Sequence, residues 1–338
     1  MEFTKTIDLI TQNQKYLIDY SNMQDGLIFN QNEFQNLDQV NYILENPNLG
    51  IPMVLPLNID NFEYPDNINT FELDKYKIAQ KLFRTNNIDY VGIKSFFQFG
   101  NKFCVGAKPK KSSYKVIKSI NNQNQLLIDK VKKLKYRNKS IGSFQTRNIP
   151  HLGHEKIIEM LLKHCDHVII NPVIGPKKNG DFKNAIIKSA YEFLSKNFYN
   201  NRISYTPICA NMFYAGPREA IHHSLLRSRV GFTHFTVGRD HAGAENIYPD
   251  KDATILVKQY EKQLDIKVIT HLGSFYSNKI NDIILADETF QDDDRDIENI
   301  SGTEFRKNIV ERKIYRHARV ELQKYLYTIS DNYFINNY

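Results

Sequence analysis

Hydrophobic and polar positions recur at two different spacings along this chain. In residues 155–163 the apolar positions lie three and four residues apart, which is the spacing of a helix, and the same period occupies 183–198 and 217–230. Short apolar runs that are typical of buried strands begin at Ser140, His167 and His234. Strands that alternate with helices predict an α/β fold with a parallel sheet.

The part of the chain before residue 130 follows another pattern. It is rich in Asn, Asp, Tyr and Phe, and its apolar runs, such as 51–57 and 90–93, are short. Turn-forming residues such as those at 46–50 separate these runs. The pattern predicts short strands with some helix, and we find no internal repeat.

The length of 338 residues is enough for roughly two domains of about 150 residues each. No apolar run approaches the roughly 20 residues of a membrane span, and the first residues lack the pattern of a secretory signal. The three cysteines, Cys104, Cys165 and Cys209, lie far apart and form no C-x-x-C pair. We therefore expect a cytoplasmic protein without membrane contact, redox motif or zinc site.

Basic residues outnumber acidic ones by 45 to 38, which gives a formal net charge of +7. Such a balance is compatible with nucleic acid, with small anions or with a merely basic surface. The densest basic stretch, 108–111 followed by 130–137, is a broken run without an interleaved aromatic platform of the RNA-binding kind. We expect a solvated basic surface there and no nucleic-acid partner.

The loop at 145–154 joins a predicted strand to a predicted helix, a position where α/β sheets collect ligands. His151 and His154 lie three residues apart at the start of that helix, where backbone N–H groups and the helix dipole favour phosphate. Their imidazoles could donate to triphosphate oxygens. The alternative is that one histidine caps the helix and the other packs against it. Two histidines are too few ligands for zinc.

A second loop leads through Gly216 and Pro217 into the helix predicted at 217–230. Its helix start is also suited to phosphate. The side chains that follow it have a simpler interpretation. By this interpretation Arg218 and Glu219 form a surface ion pair, and His222 and His223 are surface groups.

A third segment ends the strand that begins at His234. The strand-end position lets Arg239 project into the crevice, where Asp240 could orient it or a neighbouring donor. Farther on, 300–306 starts a helix with the hydroxyls of Ser301 and Thr303 near its first turn and Arg306 one turn in. Capping alone would also explain those hydroxyls.

Two loops have less specific patterns. The cationic turn at 175–181 directly follows a strand, although an exposed hairpin-like loop would look the same. The acidic run at 292–296 is typical of a solvated loop, and we assign no metal to it.

Five motifs, taken together and in order, resemble those of the ATP sulfurylase (sulfate adenylyltransferase) family. They are QTRN-x-x-H-x-x-H at 145–154, G-x-x-K-x-G-D at 175–181, YAGPREA-x-x-H at 214–223, HF-x-VGRDHAG at 234–243 and ISGTEFR at 300–306. The fragment at 50–57 is faintly similar to the N-terminal PUA-like domain of that family.

The resemblance implies three parts. They are an N-terminal PUA-like mixed β domain at 1–135, a Rossmann-like catalytic domain of the HIGH-type nucleotidylyltransferase fold at 136–275, and a small C-terminal helical or mixed subdomain at 276–338. It also implies a homo-oligomer, a role in sulfate assimilation, and transfer of AMP from ATP to sulfate to give adenylyl sulfate (APS) and pyrophosphate. Mg²⁺ would accompany the ATP, and no protein-bound metal is expected.

The resemblance also implies roles for single residues. Gln145, Arg147 and the backbone around Ala242 would contact sulfate. Asn148, His151 and His154 would serve the ATP phosphates, and Arg239 would bridge nucleotide and oxyanion. The remaining nucleotide contacts would come from Gln145, Gly238, Asp240, His241, Ser301 and Thr303. The catalytic set would be Arg147, Asn148, His151, His154 and Arg239.

Some residues depart from the family pattern. The pair Ile149-Pro150 stands where proline usually follows the asparagine directly, Glu245 stands where glycine is usual, and Lys188 is near the position of a usual arginine. These departures motivate an alternative, in which the same fold adenylylates another oxyanion or a phosphorylated metabolite. A second alternative is a non-catalytic nucleotide-binding or RNA-binding protein, which the excess of basic over acidic residues suggests.

Overall fold

The computed structural model describes residues 14–29, 31–137, 139–175, 180–286, 296–330 and 332–335. The acidic run at 292–296 and the cationic turn at 175–181 lie largely outside these ranges. Among the described residues, no helix has the length and apolarity that crossing a membrane requires.

The N-terminal part contains more helix than its sequence pattern predicts. Its helices are α1 (Lys15–Gln24), α2 (Leu37–Glu45), α3 (Lys75–Lys81), α4 (Val91–Phe96) and α5 (Tyr114–Tyr136). Its strands are β1 (Leu55–Pro56), β2 (Phe62–Glu63), β3 (Asn69–Glu72), β4 (Lys102–Val105) and β5 (Lys108–Pro109). They pair antiparallel, in the order β1-β4-β3 and as β2-β5.

One expected strand of this part is wrong, and another is shorter than its apolar run. The run at 90–93 opens α4, because Tyr90, Ile93 and Phe96 are all buried and stand at helical rather than alternating spacing. The run at 51–57 contributes only the two residues of β1, since a proline such as Pro52 cannot donate a ladder hydrogen bond. The basic stretch at 130–137 forms the C-terminal end of α5, and the buried face of this helix includes Leu127 and Val131.

The predicted parallel sheet is confirmed and lies at the centre of the molecule. It comprises β6 (Ile141–Phe144), β7 (His167–Ile170), β9 (Ile203–Tyr205), β11 (His234–Val237) and β12 (Lys267–Thr270), in the order β12-β11-β6-β7-β9. Every pair in it is parallel. A smaller parallel pair joins β8 (Val173–Ile174) to β10 (Ile208–Cys209).

The helices expected between these strands are also confirmed. They are α6 (Leu152–Leu162), α7 (Asn184–Phe198) and α8 (Pro217–Val230), and α9 (Asp252–Tyr260) precedes β12. Farther on, β13 (Ser274–Ser277), β14 (Asp282–Leu285) and β15 (Ile297–Asn299) form an antiparallel sheet, followed by α10 (Gly302–Val310) and α11 (Val320–Ile329).

The central sheet separates two hydrophobic clusters, because successive side chains of a strand point to opposite faces. Ile169 of β7 belongs to the first cluster, which runs from Tyr16 to Val268 and contains the N-terminal part with α5, α8 and α9. Its neighbours Val168 and Ile170 belong to the second, which contains α6, α7, α10 and α11. The N-terminal part and the sheet therefore share a core.

A buried ion pair ties the C-terminal part to α6. The Nε of Arg319 donates to both carboxylate oxygens of Glu155, at 3.0 and 2.8 Å, and the Tyr199 hydroxyl donates to one of them at 3.0 Å. The Glu155 side chain is only 3% exposed. Such a carboxylate depends on its partner because it has lost its hydration.

We predict that Arg319→Met lowers the free energy of unfolding by about 3 kcal/mol, since it leaves Glu155 buried without its cation. Lys188→Met is the control, because it removes an exposed partner of Glu192 in an ion pair on one helix and should cost less than about 0.5 kcal/mol. Urea denaturation measures both. Equal losses would contradict the importance of the buried pair.

Candidate active site

The candidate site is a cleft at the carboxyl ends of β6 and β11. The chain winds from β6 outward through β7 and β9 and then returns to the other side of β6 as β11 and β12. At such a reversal the loops after the two central strands diverge and leave a crevice. Here it measures about 440 Å³.

Nine of the residues expected at the site line this cleft. They are Gln145, Arg147, Asn148, His154, Gly238, Arg239, Asp240, His241 and Ala242. The first four lie in the loop between β6 and α6 or in the first turn of α6, and the other five lie in the loop after β11. The fold therefore brings two motifs, nearly a hundred residues apart in the sequence, into one cavity. Arg147 and Arg239 are both exposed at this cleft.

Three expected residues do not line it. His151 is buried at the N-cap of α6, Ser301 caps α10 by accepting from the N–H of Glu304 at 3.1 Å, and Thr303 is exposed. For Ser301, capping is the contact that the structure places there. Arg306 of the same helix donates to the Asn148 side chain, so α10 reaches the first loop through its arginine.

The two histidines of the first loop form a reciprocal cap. The N–H of His154 donates to Nδ1 of His151 at 3.2 Å, and the N–H of His151 donates to Nδ1 of His154 at 3.4 Å. The rings stack with their centroids 3.7 Å apart. His151 thus caps the helix, as the alternative interpretation expects, while His154 lines the cleft, where its contact with phosphate stays a prediction.

This cap fixes the tautomer of both rings. Because each Nδ1 accepts a backbone hydrogen bond, each neutral imidazole carries its proton on Nε2. Burial lowers the pKa of His151 to about 4 and, together with His151 and His271, holds the pKa of His154 well below its ordinary value. His154 Nε2 lies 3.4 Å from the Thr146 hydroxyl. It is thus an uncharged donor at the wall of the cleft.

The loop after β11 is tightly folded. Gly238 is required because a Cβ there would lie 2.7 Å from Cε1 of His271. Asp240 and Ala242 both have positive φ, of 46° and 54°. Arg239 lies 3.8 Å from the carboxylate of Asp250 and 5.9 Å from the centre of the Phe275 ring. Asp250 and Phe275 thus contact the Arg239 side chain at the cleft.

Two buried oxygens at the cleft have no hydrogen-bond partner among the described residues. They are Oε1 of Gln145 and Oδ1 of Asp240. Burial raises the pKa of Asp240, with a further contribution from Asp250. Unpaired buried polar atoms are costly in a folded protein and mark positions where a ligand can supply the missing bonds.

Behind the cleft, His241 is held by a line of buried groups. Its Nε2 lies 3.0 Å from Nδ1 of His223, whose Nε2 lies 3.5 Å from the Glu219 carboxylate. Glu219 also accepts from the N–H groups of Phe213 and Ala215, both at 2.8 Å. Burial raises the pKa of Glu219 to about 8 and lowers that of His241 to about 3.

The surface ion pair expected for Arg218 and Glu219 is therefore wrong. Arg218 is also buried and donates to the carbonyls of Ile43 and Gly50 at 2.8 and 2.6 Å, so it anchors the end of α2. His222 and His223, expected at the surface, are buried as well. These acceptors come from distant parts of the chain, which a local pattern does not reveal.

The departures from the family pattern lie outside the lining of the cleft. Ile149 is fully buried in the second hydrophobic cluster. Glu245 is exposed, and Lys188 forms its exposed pair on α7. Their side chains therefore do not set the chemistry of the cavity walls.

Other lining residues received no individual role from the sequence, although three of them are fixed positions of the motifs. They include Thr146, Asp181, Asn184, Tyr214, Thr236 and His271. A sequence signal exists for His271, which directly follows β12 and so stands at the carboxyl end of a sheet strand. Among the described residues, no group of three or more His, Cys, Asp or Glu side chains is arranged to hold a metal.

A doubly wound parallel sheet with a polar cleft at its reversal point defines the nucleotide-binding α/β class of folds. A solved structure of this general fold is similar: a hexameric APS kinase from Thiobacillus denitrificans, with a TM-score of 0.58 and 10% identity. The match covers 94% of this chain and 62% of that one.

Sequence comparison identifies the family. The ATP-sulfurylase family model matches residues 122–314. The sulfate adenylyltransferase of Pyrococcus abyssi is 30% identical over 322 residues, 87% of this chain and 82% of the relative. That of Persephonella marina is 30% identical over 340 residues, 92% and 88% of the two chains. The chain belongs to the ATP-sulfurylase family of nucleotidyltransferase enzymes, which confirms the resemblance of the five motifs.

The buried histidines predict a loss of stability in mild acid. Burial lowers the pKa of His167 from its ordinary value of 6.5 to about 4. Between these two pH values the imidazole therefore binds a proton in the unfolded chain but not in the folded chain. Stability is therefore complete above pH 6.5 and falls as the pH drops toward 4. Each such histidine contributes about 1.4 kcal/mol per pH unit.

We predict that His167→Gln reduces the dependence of the free energy of unfolding on pH by the equivalent of about one proton. Urea denaturation between pH 7.5 and 5 measures this dependence. His164→Gln, at an exposed position, should leave the slope unchanged. A slope that is the same in the wild type and in both variants would mean that folding does not lower the pKa of His167.

Proposed function

We propose that the cleft transfers AMP from MgATP to sulfate, giving APS and pyrophosphate. The observation that carries this proposal is the presence of Arg147 and Arg239, from separate loops, in one cavity with His154 at a helix N-terminus. Two cations and a helix N-terminus suit a triphosphate beside a small dianion. The names of the curated relatives support the same activity.

The reaction needs no general base. Sulfate is fully ionised at neutral pH, so one of its oxygens can attack the α-phosphorus directly. The bond between the α-phosphorus and the oxygen that bridges to the β-phosphate breaks, and pyrophosphate leaves with that oxygen. The site then works by positioning anions and neutralising charge. The same geometry serves the reverse reaction.

We assign the roles by motif and position. Gln145, Arg147 and the backbone near Ala242 hold sulfate, and Arg239 lies between sulfate and nucleotide. Asn148 and His154 serve the phosphates, with His154 donating from its uncharged Nε2. His151 acts through its cap and ring stack with His154. Gly238, Asp240 and His241 shape the adenosine side, while Ser301 and Thr303 contribute only through α10.

Mg²⁺ belongs to the nucleotide substrate in this proposal. Magnesium is commonly held by substrate phosphates with one or two carboxylates. Asp181 and Asp240 are the two carboxylates that line the described part of the cleft. They fit a cation that is carried mainly by phosphate oxygens.

Three finer expectations from the sequence stay part of the proposal. They are the PUA-like domain at 1–135 with a HIGH-type nucleotidylyltransferase domain at 136–275 and a C-terminal subdomain at 276–338, assembly as a homo-oligomer, and a cytoplasmic location. Sulfate is kept as the acceptor because Glu245 and Ile149, which suggested other acceptors, are outside the cleft lining.

The test is pyrophosphate release by the purified protein with MgATP. Release should require sulfate, and molybdate should support continuous release because its adenylate hydrolyses. Release without either anion would overturn sulfate as the acceptor. Release that instead requires a phosphorylated metabolite would favour the alternative acceptor.

We predict that Arg147→Ala lowers sulfate-dependent turnover at least 100-fold while part of the ATP affinity survives, because a positioned cation at the dianion is lost. His154→Ala should lower kcat by a similar factor through lost phosphate contacts. Arg137→Ala is the control, because Arg137 is exposed after the end of α5 and does not line the cleft. It should leave turnover unchanged. Wild-type rates in both cleft variants would refute the assignment.

A further inference from the structure

The hydroxyl of Tyr90 bridges two loops of the cleft. It donates to the carbonyl oxygen of Tyr214 at 2.5 Å and accepts from the N–H of Ala244 at 3.1 Å. Tyr214 lines the cleft from the loop before α8, and Ala242 and Gly243, which directly precede Ala244, line it from the loop after β11. One phenol oxygen therefore connects two walls of the cavity.

Tyr90 is itself held rigidly. It is completely buried at the start of α4, and its ring packs edge-on against Phe83 and Tyr248, each with centroids 6.0 Å away. Gly92 lets α4 lie close to the loop before α8, because a Cβ at this position would lie 2.9 Å from the Phe213 carbonyl oxygen. The hydroxyl is thus a fixed point for the loops that meet it.

The loops need such a fixed point. Tyr214 and Ala242 have positive φ, of 59° and 54°, and Asp240 has 46°. L-residues rarely adopt this backbone region, and such conformations persist only where the surroundings determine them. Hydrogen bonds from a rigid side chain to both loops are an interaction of this kind.

We infer that Tyr90 is a positioning residue, whose hydroxyl sets the spacing of the two loops and thereby places the backbone around Ala242 for the acceptor anion. This inference rests on the proposed function for the identity of the anion. Tyr90 lies outside residues 122–314, which the family model matches. Through Tyr90 the N-terminal part of the chain therefore holds two loops of the cleft rather than only packing beneath the sheet.

The test compares Tyr90→Phe with Tyr64→Phe. Tyr64 has matched chemistry, since its hydroxyl accepts from the Ile59 N–H at 2.7 Å and donates to the Ile59 carbonyl at 3.2 Å, but Ile59 belongs to no loop that lines the cleft. Tyr90→Phe should raise KM for sulfate about tenfold and lower kcat less, with ATP affinity changed less than threefold. Tyr64→Phe should leave these constants unchanged.

A second measurement does not depend on activity. Hydrogen exchange followed by mass spectrometry should show faster exchange in peptides that cover 240–246 of Tyr90→Phe, because the Ala244 N–H loses its acceptor. If exchange in this segment matches the wild type, or if Tyr90→Phe unfolds, the inference is overturned. Faster exchange in a protein whose wild type shows no sulfate-dependent release would support the bridge and refute the proposed function instead.

Discussion

The parallel hydrogen bonding of β6 to β7 on one side and to β11 on the other is the interaction on which the cleft depends. Because both neighbours run in the same direction as β6, the loops that follow β6 and β11 leave the sheet at the same edge and separate there. The motif residues at 145–148 and 238–242 are brought together by this pairing. A shift of register between the strands would move the arginines of the two loops relative to each other.

The polar groups around the cleft are divided by charge. The imidazoles of His154 and His241 are uncharged because burial lowers their pKa values, and they are held in place by buried partners. Arg147 and Arg239, in contrast, are exposed at the cleft. A site of this kind combines buried neutral donors with exposed cations, which suits a reaction between two anions.

The sequence was sufficient for β6, β7 and β11 of the central sheet, for the helices α6, α7 and α8, and for nine of the residues that line the cleft, because periodicity and strand-end position are local properties. It was not sufficient for residues whose role depends on distant contacts. Arg218 resembles a surface cation until Gly50, 168 positions away, supplies its acceptor. Tyr90 belongs to an apolar run that resembles a strand, and only the folded chain brings its hydroxyl between the two loops. The spacing of His151 and His154 could not show that the two rings cap each other's backbone N–H groups and that only His154 lines the cleft.

The first hydrophobic cluster joins Tyr16 to Val268 across most of the chain. A nascent polypeptide that leaves the ribosome from its N-terminus therefore carries unpaired apolar surface on α1 and α5 until β11 and β12 have been synthesised. Contacts of such long sequence separation slow folding and favour association of the incomplete chain. Because one hydrophobic cluster is built from both halves of the chain, the N-terminal half is fully covered only when synthesis of the sheet is nearly complete.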